Sequence, residues 1–254
     1  MGKSLIAADE PPAVAESRRD GRSDFVILVD HASRRIPRSL GTLGLPEGEL
    51  ARHIAWDIGA LAVAERVSAA LDATLVAQGY SRLVIDCNRA PSAETAIPPI
   101  SEFTAIPGNE NLGGNDREAR RLAVHAPYHD HIAALLDERA RQGRRTILVA
   151  QHSMTPVFKG NHREMQAAVM HNRDGRFAIA LREALADGDR LTVADNQPYA
   201  MTDATDYTLP VHGERRGLLH VGLEIRQDLV GDEAGQLLWA DRVAQALEKA
   251  RSRF

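Results

Sequence analysis

The sequence predicts a single α/β domain: a mixed, mostly parallel sheet with helices on both faces. Three observations carry this. Two apolar runs, Phe25–Val29 and Arg145–Gln151, are short and nearly uninterrupted, as are strands buried on both faces of a parallel sheet. Stretches of helical spacing separate such runs, so strands and helices alternate. At 254 residues and 44% hydrophobic content, the chain suffices for one full core.

The elements follow in order. Residues 1–23 lack a clean period and are expected to form a flexible N-terminal arm, leaving 24–254 as the domain. Asp24–Val29 is the first strand. Arg34–Gly48 is a loop punctuated by Pro37, Gly41, Gly44 and Pro46. Glu47–Leu71 has helical spacing, with Leu50, Ile54, Ile58, Leu61, Val63 and Val67 mostly on one face, and His53 and Asp57, four apart, project from the same side. Ala73–Ala77 and Arg82–Ile85 read as short strands joined by a turn at Gly79. Pro98–Gly114 is a long polar loop of the kind that covers sites. Asn115–Arg141 is a long helix, Arg145–Gln151 the central strand and Gln166–Met170 another. Asp174–Ala186 is a helix bracketed by Gly175 and Gly188. Leu191–Ala194 and Leu218–Ile225 are strands, with a polar loop, Met201–Arg216, between them. Asp232–Arg251 is a closing amphipathic helix with Asp232 as its N-cap.

Composition narrows the function. A net charge of -4 gives no basic field for nucleic acid. No apolar run approaches the roughly 20 residues of a membrane span. A single cysteine, Cys87, excludes an internal disulfide and a Cys-rich zinc module. The N-terminus lacks the apolar core of a signal peptide, so a cytoplasmic protein acting on a small molecule is expected. Gly113-Gly114-Asn115 lacks the Gly-Lys-Ser/Thr of a phosphate loop. Ser153 lacks the Gly-x-Ser-x-Gly turn of a hydrolase nucleophile.

What remains points to a metal. The first strand runs into Asp30-His31-Ala32-Ser33, and the central strand ends in His152-Ser153. Ligands of open α/β sheets bind just past the carboxyl ends of parallel strands. Two imidazoles at matching strand ends suit a metal site. A catalytic zinc takes three protein ligands and leaves a fourth position open. Asp57 is the first choice for the third ligand, and His53 is the alternative. Glu224 interrupts an apolar strand, where a carboxylate is costly to bury unless paired or functional; it suits a general base. The alternative is an ion pair with Arg226, which shares its face. Asn88-Arg89 could grip a substrate carboxylate, with Arg226 as a further substrate contact; Arg89 could instead pair with Asp86. His125, His129 and His131 are assigned packing or solvent roles.

At these residues the sequence resembles the N-formylglutamate amidohydrolase family. The resemblance rests on Asp30-His31-Ala32-Ser33 with Ile36-Pro37, His53-Ile54-Ala55-Trp56-Asp57, Tyr80 to Arg89, Gln151 to Pro156, Asn196-Gln197-Pro198-Tyr199 and Leu223 to Leu229. It implies a fold similar to zinc carboxypeptidases and to succinylglutamate desuccinylase and aspartoacylase (phosphorylase/hydrolase-like). Those relatives bind zinc through His-x-x-Glu and a later His. Here Arg34 stands three after His31, so that motif is broken, and Asp57 is the substitute carboxylate. The resemblance implies a zinc-dependent enzyme that hydrolyses N-formyl-L-glutamate to formate and glutamate in histidine degradation. Another N-acyl amino acid or short peptide as substrate, or a non-catalytic metal-binding relative, are the alternatives.

Overall fold

The computed structural model describes residues 4–187 and 191–254. Seven strands form one sheet: β1 (Val14–Ser17), β2 (Phe25–Val29), β3 (Thr74–Gln78), β4 (Ile147–Met154), β5 (Ala167–Met170), β6 (Val193–Asp195) and β7 (Leu219–Arg226). Their order is β1-β3-β2-β4-β7-β5-β6. β3, β2, β4 and β7 run parallel. β1 is antiparallel at one edge, and the parallel pair β5 and β6 opposes β7. Every residue of β2 and β4 is buried, because helices cover both faces.

Alternation divides each strand's side chains between two cores. Ile27, Val149 and Leu223 face α1 (Ala60–Leu71), α4 (Arg176–Ala186) and α6 (Glu233–Arg251). Val26, Leu28 and Leu148 face the opposite way, onto Tyr128, Ile132 and Leu136. Those three lie on the long helix, built from α2 (Gly114–Arg120), one π-helical turn at Arg121–His125 and α3 (Ala126–Arg141). Asp232 caps α6 as expected, accepting a bond from Gly235 N at 2.8 Å. Gly175 opens α4; Gly188 lies outside the described residues.

Three segments differ from expectation. The N-terminal arm is not loose from residue 4 onward. Val14–Ser17 pairs with β3, and Tyr80 donates from its hydroxyl to Pro11 O at 2.7 Å. An exposed sheet edge recruits an otherwise aperiodic segment. Glu47–Leu71 is not one helix. A single turn at Glu47–Leu50 is followed by an irregular connection, and α1 begins only at Ala60. Tertiary partners take up the backbone groups of the connection: Asp57 N donates to His31 O at 2.9 Å, and Arg82 N to Ala55 O at 3.2 Å. Gly59 then turns the chain at φ 78°, where an added Cβ would meet Val230 O at 2.2 Å, so only glycine fits. Arg82–Ile85 is buried but forms a turn rather than a strand, with Val84 N bonded back to Ser81 O. Its apolar residues signalled burial, and burial alone does not specify a strand.

This topology decides where the site lies. Because β2, β4 and β7 are parallel and adjacent, the residues at their carboxyl ends share one rim. Glu224 pairs in register with His152 across β7 and β4.

Candidate active site

At that rim His31 follows β2, His152 stands on β4, and the connection before α1 carries Asp57 between them. His31 Nδ1 lies 3.2 Å and His152 Nδ1 2.8 Å from the same oxygen, Asp57 Oδ2. The two rings are 5.1 Å apart, centroid to centroid. Among the described residues these three form the one group with the spacing of a metal site. His53 faces the same pocket but is not part of that group. Tetrahedral zinc with bonds of about 2.0 Å has ligand atoms about 3.3 Å apart, so both imidazole-to-Asp57 separations are close to those around one ion, and all three donor atoms lie within 4.8 Å of one another.

The far sides of both imidazoles support this. His31 Nε2 is 2.8 Å from Asp86 Oδ1, and His152 Nε2 is 3.3 Å from Asp30 Oδ2. Each ring therefore has a carboxylate behind the nitrogen opposite Asp57. Metal-binding histidines are oriented this way, the outer N–H donating to a carboxylate and the inner lone pair meeting the ion. Asp86 is itself gripped by Arg82 at 2.7 and 3.1 Å, and Asp30 accepts from Thr208 Oγ1 at 2.8 Å. The donor set, two imidazoles and one buried carboxylate, fits a divalent zinc-like ion.

Electrostatics follows from these contacts. Burial opposes a proton on His152, but bonding to Asp30 and Asp57 overrides it and holds the imidazole well above its ordinary pKa. His31 is raised too: burial and Arg82 oppose the charge, while Asp86 and Asp57 favour it. Burial works to raise the Asp57 carboxyl, yet His31 and His152 keep it below the ordinary aspartate range.

Glu224 behaves differently. Burial is the main influence and pushes its carboxyl above the ordinary value; His152 opposes the shift and Asp57 adds to it. One oxygen accepts from the Tyr199 hydroxyl at 2.8 Å. The other, Oε2, has no hydrogen-bond partner among the described residues. A buried carboxylate with a raised pKa and an oxygen free of protein partners is suited to exchanging a proton with a neighbouring water. Its expected alternative partner, Arg226, is elsewhere.

His31, Asp57, Asn88, Arg89, His152 and Glu224 all line one pocket of about 260 Å³, room for a small molecule. Asn88 lines it with an amide largely committed to the protein. Its Nδ2 donates to Asp206 Oδ1, and its Oδ1 accepts from Tyr207 N and Thr208 N. Arg89 does not pair with Asp86; it donates to the Asn88 and Thr205 carbonyls. The expectation for Arg226 is corrected. It is absent from the pocket wall, pairs with Asp228 at 2.9 and 3.2 Å, and donates to the carbonyls of Arg163 and Glu164 at 3.1 and 3.5 Å. Being the last residue of β7, it has the Asp228 turn, not the site, beside it.

Sequence reading missed Asp30, Asp86, Arg82, Tyr199 and Arg163. For the first four a signal existed: each lies in a segment that also carries a recognised site residue or motif. Arg163 gave none, since it sits beyond a small hairpin (Val157–Phe158 with Asn161–His162).

The profile of the family described as N-formylglutamate amidohydrolase matches residues 23–230. No curated protein matches the chain. Among solved structures, the product of an Agrobacterium tumefaciens gene is 41% identical, with a TM-score of 0.95 and coverage of 98% of both chains. An N-formylglutamate amidohydrolase from Ralstonia eutropha is 17% identical, with a TM-score of 0.65 over 95% of this chain and 98% of that one; it shares the fold. The profile spans nearly all of the sheet and every residue of the site described above, and on that extent the chain belongs to the N-formylglutamate amidohydrolase family.

Proposed function

We propose that this protein is a metal-dependent amidohydrolase that cleaves N-formyl-L-glutamate to formate and L-glutamate. The observation that carries the reading is the register of Glu224 beside His152, which sets an unpartnered buried carboxylate oxygen next to a three-donor cluster. Burial of such a group is costly without a function.

His31, Asp57 and His152 would hold the cation, and Asp86 and Asp30 would fix the two rings. Bound there, a divalent cation supplies Lewis acidity, polarising the scissile carbonyl and acidifying water. Glu224 accepts a proton from water as its oxygen adds to the formyl carbon. The same carboxyl then returns the proton to the amide nitrogen as the C–N bond breaks; the formic acid released ionises to formate and the amine takes up that proton as an ammonium. Tyr199 steadies Glu224 through their 2.8 Å bond. Arg89 holds a substrate carboxylate by charge-assisted bonds, each contributing roughly 1.5–3 kcal/mol.

Amine release from a panel of N-acyl amino acids, measured on zinc-loaded protein, tests the reading. N-formyl-L-glutamate is expected to be the best substrate. Glu224→Gln should retain the metal yet lower turnover by on the order of 10² or more. A loaded protein idle on the whole panel would contradict hydrolysis. Faster turnover of a longer acyl group would leave the chemistry standing and change the substrate.

A further inference from the structure

Three arginines, Arg82, Arg89 and Arg163, line the reaction pocket, and the first two also wall a second cavity of about 220 Å³. The two spaces are neighbours across these guanidinium groups, and the chemistry proposed above uses only the first. The second cavity is held open by the long polar loop that follows Ile97. Pro98 and Ser101 of that loop form part of its wall, with Leu83 beside them. Asn109 Nδ2 donates to Pro98 O and to Leu83 O, both at 2.9 Å, and Arg120 fixes Asn109 Oδ1 at 2.6 Å. Glu102, next to Ser101, accepts from Arg52 Nη2 at 2.6 Å and from Lys159 N at 3.3 Å. The loop is therefore tied down around a space that it does not fill.

The lining of this cavity suits a short stretch of peptide. Ile54 and Leu83 supply buried apolar surface, and Thr95 and Ser101 supply hydroxyls. Neither hydroxyl makes a hydrogen bond among the described residues. Asp86 is the one carboxylate on the wall. Its oxygens are taken by His31, Asn88 N and Arg82, and Arg82 offsets its charge. Arg89 makes no ion pair among the described residues. Its Nη1 donates to the Asn88 and Thr205 carbonyls, while Nε and Nη2 have no partner there. A guanidinium carries five donors in one plane, so the same side chain can serve the space on either side of it.

We infer that the cavity beyond Arg89 is a subsite for one further residue, and that the protein also removes the acyl group from N-acyl dipeptides. A carboxylate held by Arg89 marks where a single-residue substrate ends. In a dipeptide the carbonyl of the peptide bond takes that place. The added residue then lies against Ile54 and Leu83, and its terminal carboxylate meets the other edge of the Arg89 fork. Water cleaves the formyl C–N bond as before, giving formate and the dipeptide with its amino group free and its peptide bond intact. The cleavage rests on the amidohydrolase reading, whereas binding of the added residue does not require cleavage.

The experiment uses zinc-loaded wild-type protein, Thr95→Phe and Ala204→Phe. Both positions are exposed and line only the second cavity, from different segments, so either variant can fill it without touching the reaction pocket. The substrates are N-formyl-L-glutamate and N-formyl-L-glutamyl-L-alanine, and calorimetric binding of L-glutamate and L-glutamyl-L-alanine runs alongside. Wild type should cleave both substrates. Each variant should lower kcat/KM on the dipeptide by at least about tenfold and on the single-residue substrate by less than about twofold, as steric exclusion from a subsite does. Each should likewise weaken binding of L-glutamyl-L-alanine and spare that of L-glutamate. A wild-type protein that cleaves N-formyl-L-glutamate but neither cleaves nor binds the dipeptide would overturn the subsite and leave the proposed function standing. Equal losses on both substrates in the two variants would also overturn it. A wild-type protein that is idle on both substrates yet binds L-glutamyl-L-alanine, with the binding lost in Thr95→Phe or Ala204→Phe, would end the hydrolytic reading and leave the subsite in place.

Discussion

Two groups of histidines are equally hidden from water and differ in what stands against their ring nitrogens. His31 and His152 are 2% and 8% exposed; His125, His129 and His212 are 3%, 7% and 3% exposed. The first pair has a carboxylate against every ring nitrogen: Asp57, Asp86 and Asp30. The second group has none. His125 Nε2 bonds Arg89 O at 3.0 Å, His129 Nε2 bonds Cys87 O at 2.8 Å, and His129 Nδ1 meets His212 Nε2 at 2.9 Å. Burial therefore pushes His129 down to about 3, with His125 and His212 adding to the shift. It pushes His212 down to about 4, with Arg216 adding. Burial does not decide whether an imidazole is charged or a ligand; its partners do. The neutral group braces the backbone on either side of Asn88, and the acid-tied pair offers lone pairs to a cation.

Removing one imidazole from each region should break this comparison most visibly. His152→Ala should abolish both metal binding and measurable turnover while the fold persists. His129→Ala should leave metal stoichiometry at the wild-type value. It should cost about 1–3 kcal/mol of stability in urea unfolding, because the Cys87 carbonyl and His212 lose a buried partner. Metal loss in His129→Ala, or its retention in His152→Ala, would erase the distinction.

A smaller effect should come from the acid behind a ligand. Asp86→Asn keeps the shape but withdraws the charge behind His31, and metal affinity should fall about 10–100-fold in a chelator competition. An unchanged affinity would mean that Asp86 only anchors Arg82.

The pH dependence of the metal-free protein should be gentler still, and it should differ in sign between the groups. His129 and His212 titrate below their unfolded value, so folding must keep them neutral. Their contribution is present above about pH 6.5 and lost as pH falls toward about 3 and about 4. The slope is up to about 1.4 kcal/mol per pH unit for each ring. His31 and His152 titrate above the unfolded value. Their contribution is present in full below about pH 6.5 and lost as pH rises through their folded values. Urea midpoints followed across pH should show the acid-side loss flattened in His129→Phe and the alkaline-side loss flattened in His152→Phe. The reverse pattern would refute the assignment of charge.

The difference between the regions also shows what a sequence makes legible. His31, His152 and Glu224 could be placed because strand ends are readable from apolar runs, and parallel neighbours share a rim. Asp57 was selected as a helix residue four after His53, yet it reaches the cluster from an irregular turn fixed by its N–H bond to His31 O. That position depends on a tertiary hydrogen bond and has no local pattern. Arg226 failed because alternation fixes a strand's faces only within the strand, and its partner lies in the following turn. Asp30 and Asp86 stood in segments that the sequence marks out, but which imidazole each one supports depends on how the loops bearing them converge. His125 and His129 were assigned to packing or solvent. Packing is where they are, though no periodicity discloses that His212, far along the chain, completes their contacts.

The cation is the centre of the proposed chemistry. Zinc should be titrated into metal-free wild-type protein and into Asp57→Ala, following heat and proton release in two buffers of different ionisation enthalpy. One ion per chain is predicted for wild type, with protons released from His31 and His152 and affinity rising with pH up to their raised pKa values. Asp57→Ala should lose that site. Equal affinity and stoichiometry in the two proteins, or wild-type binding without proton release, would contradict a site built from His31, Asp57 and His152.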